Sequence, residues 1–519
     1  MKSTLLFAMA LFLVVLAPVA NAQEKKVIDE IINIGQTDNQ SMHHLDFLSN
    51  RFGGRILGSD SYENAAEWVA SEFKKWGMMV EMDYAGTLPV GFNRGPWFGR
   101  MLSDNGMTLH FCTPSYTAGT KGVQKGHVVM EPKTQRQFDA MKGKLKGAWV
   151  LITGVNKGWP IDYSAAADHE RDSLINANVE IVRQNMEILR YNEKYPDSVQ
   201  KPQIKLNDRP ALFYKQMREA GILGIIQSAP VPIQALYDRA NIDKMTFDNL
   251  PTIPDIKLDE HQYKIIEQMC KERQRFELEF DIRNWFKMGP VKYYNVIGII
   301  PGTKYPDEYV LMGGHLDCFD VATGGVDDGS GFTPAMEAAR QIMMAGGKPK
   351  RTILVCAWAG EEFGLLGSKA FVEKNMKKLD KFSNYFNRDG GPTVANSLRV
   401  PEAMYADFEK VCEPLNRINP DFPFTLSQTE PRPKPTRAGG SDHAYFAING
   451  VPTISFGTAD PKGYDFNYGE IWHTERDLYN MSIPEYQEHT ATVTAVVIYG
   501  IACLDHLLDR KGMFTDPAK

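Results

Sequence analysis

Cysteine is scarce in this sequence. Six occur in 519 residues, namely Cys112, Cys270, Cys318, Cys356, Cys412 and Cys503, and no two form a CxxC pair. That excludes a disulfide-dense scaffold and a thiolate metal site, and leaves one or two disulfides open. A basic excess is also missing. The formal net charge is -6, which gives no support for a nucleic-acid partner. No internal repeat or low-complexity tract is present. Beyond the amino-terminal stretch, no apolar run reaches the roughly 18 residues that a membrane-crossing helix needs. What remains is an ordinary globular composition, 43% apolar and 24% charged, in a chain long enough for several domains.

The first residues read as an export leader. Lys2 supplies the positive start, Leu5 to Ala17 form an apolar run, and Ala20-Asn21-Ala22 is an A-x-A cleavage pattern. A signal peptide over 1–22 is expected, with the mature chain exported to the periplasm or the exterior. No cysteine follows the cleavage point, so no lipid attachment is expected there.

Along the mature chain, Asp60 to Met78 has helical spacing through Ala65, Ala66, Val69, Ala70 and Phe73, with Gly77 as a stop. The preceding Gly53-Gly54-Arg55-Ile56-Leu57-Gly58-Ser59 reads as a plain loop, since it lacks the Lys-Ser/Thr ending of a phosphate cradle. From 106 to 287 the character changes, with short strand-like runs at Trp149–Ile152 and Gly224–Ile226. A polar stretch around 155–210 has helical spacing near Ile181, Met186 and Leu189. This region reads as an insertion. From 288 strands and helices alternate. Strands are expected at Tyr309–Met312, Ile353–Trp358, Asn384–Asn387 and Val451–Phe456. Helices are expected at Gly331–Met344, Leu366–Val372 and Pro484–Leu508. The expected fold is α/β, a mixed-sheet domain with helices on both faces, built from 23–105 and 288–519, with 106–287 inserted.

The chemistry-bearing residues fall where strands end, which is where open α/β sheets gather their sites. His315-Leu316-Asp317 follows the first strand of this series. Asp317 is placed to hold the second N–H of the imidazole. Gly325-Val326-Asp327-Asp328-Gly329-Ser330-Gly331 opens a helix. It reads either as a capped turn or as adjacent acids that a cation can approach closely. Gly360-Glu361-Glu362 follows a wholly apolar strand, where a solvated charge run is out of place. Asp389 and the loop His473-Thr474-Glu475-Arg476-Asp477 complete the series. Each taken singly has a bland reading as a turn or cap. Together, two histidines and three carboxylates make an N/O donor set that suits zinc and tolerates manganese or cobalt. Paired ions about 3.5–4 Å apart could clamp a carbonyl and activate a water.

The ordered motifs HLD, GGVDDGSG, AGEEFGLLGS, RDGG and WHTERD resemble metallopeptidase family 28, which includes dizinc aminopeptidases and glutamate carboxypeptidases. The stretches at 53–77 and 293–314 resemble the family as well. The resemblance implies two zinc ions per chain. His315 and Asp389 would be terminal ligands of one, Glu362 and His473 of the other, and Asp327 the bridge. Glu361 would be the general base and acid, with Asp317 behind His315. Ser441-Asp442-His443 is also family-like, and places Asp442 and His443 near the substrate. The segments 145–154, 220–230 and 251–266 resemble a protease-associated domain, although the stretch at 155–210 looks larger than usual. Short peptides are the implied substrates and a homodimer stays open. The other readings are a carboxypeptidase releasing C-terminal glutamate, a one-zinc glutaminyl cyclotransferase, and a non-catalytic receptor of the same fold.

Overall fold

The computed structural model describes residues 22–103 and 106–515. The leader over 1–22 lies, but for its last position, outside them. The chain divides into two compact units. One comprises residues up to Thr87, Val291–Trp472 and Arg476 onward; the other comprises Leu88–Pro290 and His473–Glu475.

The first unit is built on a five-stranded mixed sheet. Its strand order is Met79–Leu88, Val291–Ile300, Arg351–Trp358, Tyr305–His315, Phe382–Asn387. Arg351–Trp358 is buried along its whole length, as expected of a central strand flanked on both faces. It runs parallel to Tyr305–His315, which in turn runs parallel to Phe382–Asn387. Three neighbouring strands therefore present their carboxyl ends at one edge.

Helix Asp60–Lys75 forms where the apolar spacing predicts. Ser59 caps it by accepting the Tyr62 N–H at 3.0 Å, and Gly77, at φ 83°, ends it. Helix Gly329–Met344 packs against both Tyr305–His315 and the closing helix Pro484–Ala502. The closing helix is apolar nearly all round and almost wholly buried. The strand expected at Val451–Phe456 does not form. That segment is irregular, and the strand nearby is the short Gly457–Ala459. Pro452 has no N–H to give a ladder, and the Asn384 side chain substitutes for one. It accepts the Ile454 N–H at 2.8 Å and donates to the Ile454 carbonyl at 2.9 Å.

The second unit carries a seven-stranded sheet in the order Trp97–Met101, Glu277–Ile282, Gln124–Met130, Trp149–Val155, Gly224–Ala229, Asp255–Asp259, Phe111–Cys112. Strands Gly91–Asn93 and Trp97–Met101 lie before residue 106. They pair with Trp285–Lys287 and Glu277–Ile282, so these partners group them with this unit. The polar stretch folds into a 30-residue helix, Ala165–Lys194. Only its first half reaches the core, through Ala167 and Ile175. Met186 and Leu189 are 49% and 45% exposed. All six cysteines are free thiols, so the disulfides left open by the sequence do not form. Among the described residues no helix is long and apolar enough to cross a membrane.

Candidate metal centre

The parallel strand ends deliver the expected donors. His315 is the last residue of its strand, Glu361 and Glu362 follow Trp358 after two residues, and Asp389 follows Asn387 after one. His315 and Trp358 are register partners, as are Gly313 and Asn387. His315 Nε2 lies 3.2 Å from Asp327 Oδ1 and 3.7 Å from Asp389 Oδ1. Donor atoms of His315, Asp327 and Asp389 all fall within 4.8 Å of one another, as do those of Asp327 and Glu362. Asp327 thus belongs to both groups.

Asp317 lies behind His315, with its atoms divided between two tasks. His315 Nδ1 bonds the Asp317 main-chain carbonyl at 2.8 Å, whereas the nearer carboxylate oxygen stands at 3.8 Å. The carboxylate instead accepts the N–H of Glu361 at 3.1 Å and of Glu362 at 3.3 Å. One buried residue therefore orients a ring on one strand end and two glutamates on the next.

Several residues of the site take roles that the sequence did not assign. Asp328 is the N-terminal boundary residue of helix Gly329–Met344, yet its side chain makes no capping bond. It turns inward, accepting the His315 N–H at 3.0 Å and the Gly390 N–H at 3.3 Å. Asp477 accepts the Val326 N–H at 2.6 Å and the Asp327 N–H at 3.3 Å, which holds the bridging loop. Arg55, buried inside the glycine-rich loop, donates to the carbonyls of Leu48, Leu316 and Thr323. The adjacent acids and the lone arginine were visible in the sequence. Which main-chain groups they would reach was not.

The electrostatics are those of crowded, buried acids. Burial, reinforced by Glu362, Asp442 and Asp389 and opposed by His315, pushes the Glu361 carboxyl up to about 10. Glu362 is driven well above its usual range by burial and by Asp327. Burial opposes protonation of His315, but Asp328, Asp327 and Asp389 prevail and hold its imidazole well above its ordinary value. Burial also raises the Tyr468 hydroxyl, together with Asp327 and Asp389. Acids packed this closely out of water repel one another, and a bound dication relieves that repulsion. The donor set and its spacing therefore fit a metal.

Residues 295–497 match the model of peptidase family M28. Over those residues the chain is similar to that family, and the likeness supports a metallopeptidase hydrolase. It is 26% identical over 333 residues to carboxypeptidase Q of Rattus norvegicus, covering 62% of this chain and 64% of that protein. It is 28% identical over 506 residues to carboxypeptidase Q of Bos taurus, covering 93% and 90%. The chain thus spans just under two thirds of the rat protein and nearly all of the bovine one. The fold is similar to that of a peptidase M28 precursor from Shewanella amazonensis SB2B, at TM-score 0.57 and 19% identity, covering 96% of this chain and 100% of that one. It is also similar to a zinc aminopeptidase from Bacillus subtilis, at TM-score 0.51 and 18% identity, covering 92% and 97%.

The remaining candidates divide. Asp442 is wholly buried within electrostatic reach of Glu361. Its neighbour Ser441 accepts from Asn387 Nδ2 at 2.8 Å, two residues from Asp389. His443 opens the next short helix. His473, at φ 57°, lies in the segment His473–Glu475 that groups with the second unit. Within that unit its carbonyl accepts the Ala235 N–H at 3.4 Å. Glu475 accepts from Ile233 N at 3.1 Å and meets His110 Nε2 at 2.7 Å.

Proposed function

We propose that this chain is an exported zinc exopeptidase that hydrolyses short peptides from a free amino end, using two ions bridged by Asp327. The observation that carries this reading is the convergence of His315, Glu362 and Asp389, from neighbouring parallel strand ends, on Asp327 in the turn before helix Gly329–Met344, with Glu361 beside them. In this reading His315 and Asp389 hold one ion. Glu362 holds the other with His473, whose assignment rests on the family-like WHTERD motif. Bound zinc supplies Lewis acidity and lowers the pKa of a water. Glu361 takes the proton of the attacking water and returns it to the leaving amine. Asp317 keeps Glu361 aimed through the bond to its N–H. The second unit is proposed as the protease-associated domain. Export is proposed from the leader pattern at 1–22. The names of the carboxypeptidase Q relatives support a peptidase acting at chain ends.

The test is zinc per chain on the purified mature protein, together with hydrolysis of dipeptides and their N-acetyl counterparts, with and without chelator. About two zincs, chelator-sensitive cleavage and rejection of the acetylated peptides are expected. Cleavage of acetylated peptides from the carboxyl end would move the enzyme to a carboxypeptidase. One zinc without hydrolysis would overturn the peptidase reading.

A further inference from the structure

Glu475 follows His473 by two residues in the WHTERD loop, and the two-ion reading gives it no task. Within the second unit its carboxylate is held from two sides. Oε1 accepts the Ile233 N–H at 3.1 Å, and Oε2 meets His110 Nε2 at 2.7 Å. The other ring nitrogen of His110, Nδ1, meets Asp259 Oδ2 at 3.0 Å. Asp259 is itself fixed, because its Oδ1 accepts the His261 N–H at 2.8 Å and caps helix Glu260–Lys271. His110 is tied to the same corner through its main chain. Its N–H donates to Gln262 Oε1 at 2.7 Å, and its carbonyl accepts the Asp259 N–H at 2.9 Å. Burial opposes protonation of the ring, but Glu475 and Asp259 prevail and raise it above its ordinary value. In the charged form both nitrogens donate, each to a carboxylate.

The segment that carries Glu475 needs such an anchor. His473 stands at φ 57°, in the left-handed region that a residue with a Cβ rarely adopts. Main-chain ties to Ile233–Ala235 hold it there. The Ala235 N–H donates to the His473 carbonyl at 3.4 Å, and the Glu475 N–H donates to the Ile233 carbonyl at 3.1 Å. Between them Gln234 and Thr474 form an antiparallel bridge. A pairing this short does not hold by itself. The Glu475 side chain adds the charge-assisted bond that secures it, and that bond runs to His110. If His473 left the left-handed region its imidazole would point elsewhere. A metal ligand must be held within about 0.5 Å of its working place.

We propose that His110 is a positioning residue for His473, acting through Glu475, and that it thereby sets how tightly the ion assigned to His473 is bound. This rests on the two-ion reading above and deepens it. The second unit then governs the affinity of one zinc. The ion assigned to His315 and Asp389 takes no terminal ligand from this segment and is indifferent to His110.

The experiment titrates zinc into the metal-free protein in competition with a fluorescent chelator. The parent should show two binding steps, and H473A identifies the step that belongs to His473. An asparagine at 110 can reproduce only the Nδ1 bond to Asp259, and a glutamine only the Nε2 bond to Glu475. H110N should therefore weaken the His473 step by about ten- to a hundredfold, the cost of removing an outer partner of a ligand, and leave the other step unchanged. H110Q should restore most of the lost affinity. The His110 side chain is 42% exposed, so neither substitution empties a core, and thermal unfolding of the metal-free variants checks that they fold alike. Equal zinc affinity in H110N and the parent, equal weakening of both steps, or H110Q no better than H110N overturns the positioning role alone. A parent that binds one zinc, or H473A that keeps both steps, overturns the two-ion reading, and this proposal with it.

Discussion

The main-chain N–H of His315 donates to Asp328 Oδ2 at 3.0 Å, and the other oxygen of the same carboxylate accepts the Gly390 N–H at 3.3 Å. One side chain thereby ties together the two loop starts that carry His315 and Asp389. Asp328→Ala removes both acceptors and leaves the buried His315 N–H without a partner, at about 1–3 kcal/mol, with a smaller loss at the part-buried Gly390 N–H. Stability should fall by that order and zinc affinity with it, read by urea denaturation and by competition with a fluorescent chelator. Unchanged zinc affinity would reduce Asp328 to a packing residue.

Gly331 is required for that arrangement. A Cβ there would stand 1.6 Å from Asp328 Oδ1 and 2.7 Å from the Arg388 carbonyl. The carboxylate has no room to retreat, because it is buried and doubly bonded. Gly331→Ala should therefore cost at least the roughly 1–3 kcal/mol of an overpacked core and lower zinc content in parallel. Gly346→Ala, where an added Cβ meets nothing but φ is 71°, separates strain from crowding in the same unfolding assay.

Glu361→Gln keeps the side-chain shape and removes the proton acceptor. Zinc per chain should stay at the parent value while kcat drops by about 10²–10⁴. Elemental analysis and a dipeptide assay decide it, and retained turnover would remove Glu361 from the chemistry.

Asp327→Ala should behave differently, losing metal and activity together, because its donors belong to both ligand sets. Elemental analysis after dialysis should find less than one zinc per chain. Loss of a single ion would show that Asp327 serves one site only.

Zinc binding should release protons near pH 7. Without metal the acids around His315 hold its imidazole well above its ordinary value, so the ring is protonated there and must give up that proton to ligate. Burial and neighbouring acids likewise hold Glu362 protonated well above the usual carboxyl range. Affinity should rise as pH rises toward these raised values and weaken as pH falls. Calorimetry in two buffers of different ionisation enthalpy measures the release. Identical heats in both would contradict it.

Much of the catalytic unit was legible from local pattern. The apolar runs at Ile353–Trp358 and Tyr309–Met312 could only be buried strands, and the acids and histidine just beyond them could only be at strand ends. Helix Asp60–Lys75 was marked by its apolar spacing and by Gly77. Val451–Phe456 misled because it is apolar and extended, yet Pro452 and the Asn384 side chain replace a ladder. The helical spacing near Met186 and Leu189 is borne out by helix Ala165–Lys194, but spacing says which residues share a face, not whether anything covers it.

By itself the sequence determined the residue types of the candidate site, their order and, for His315, Glu361, Glu362 and Asp389, their places at strand ends, because those depend on periodicity and on short motifs. Only the tertiary structure decided that Asp317 orients His315 through its carbonyl while its carboxylate serves Glu361. The same holds for Asp328 turning inward instead of capping its helix, and for His110 standing between Asp259 and Glu475. Those are choices among hydrogen-bond partners far apart in the chain, and they are made when buried polar groups must each find one.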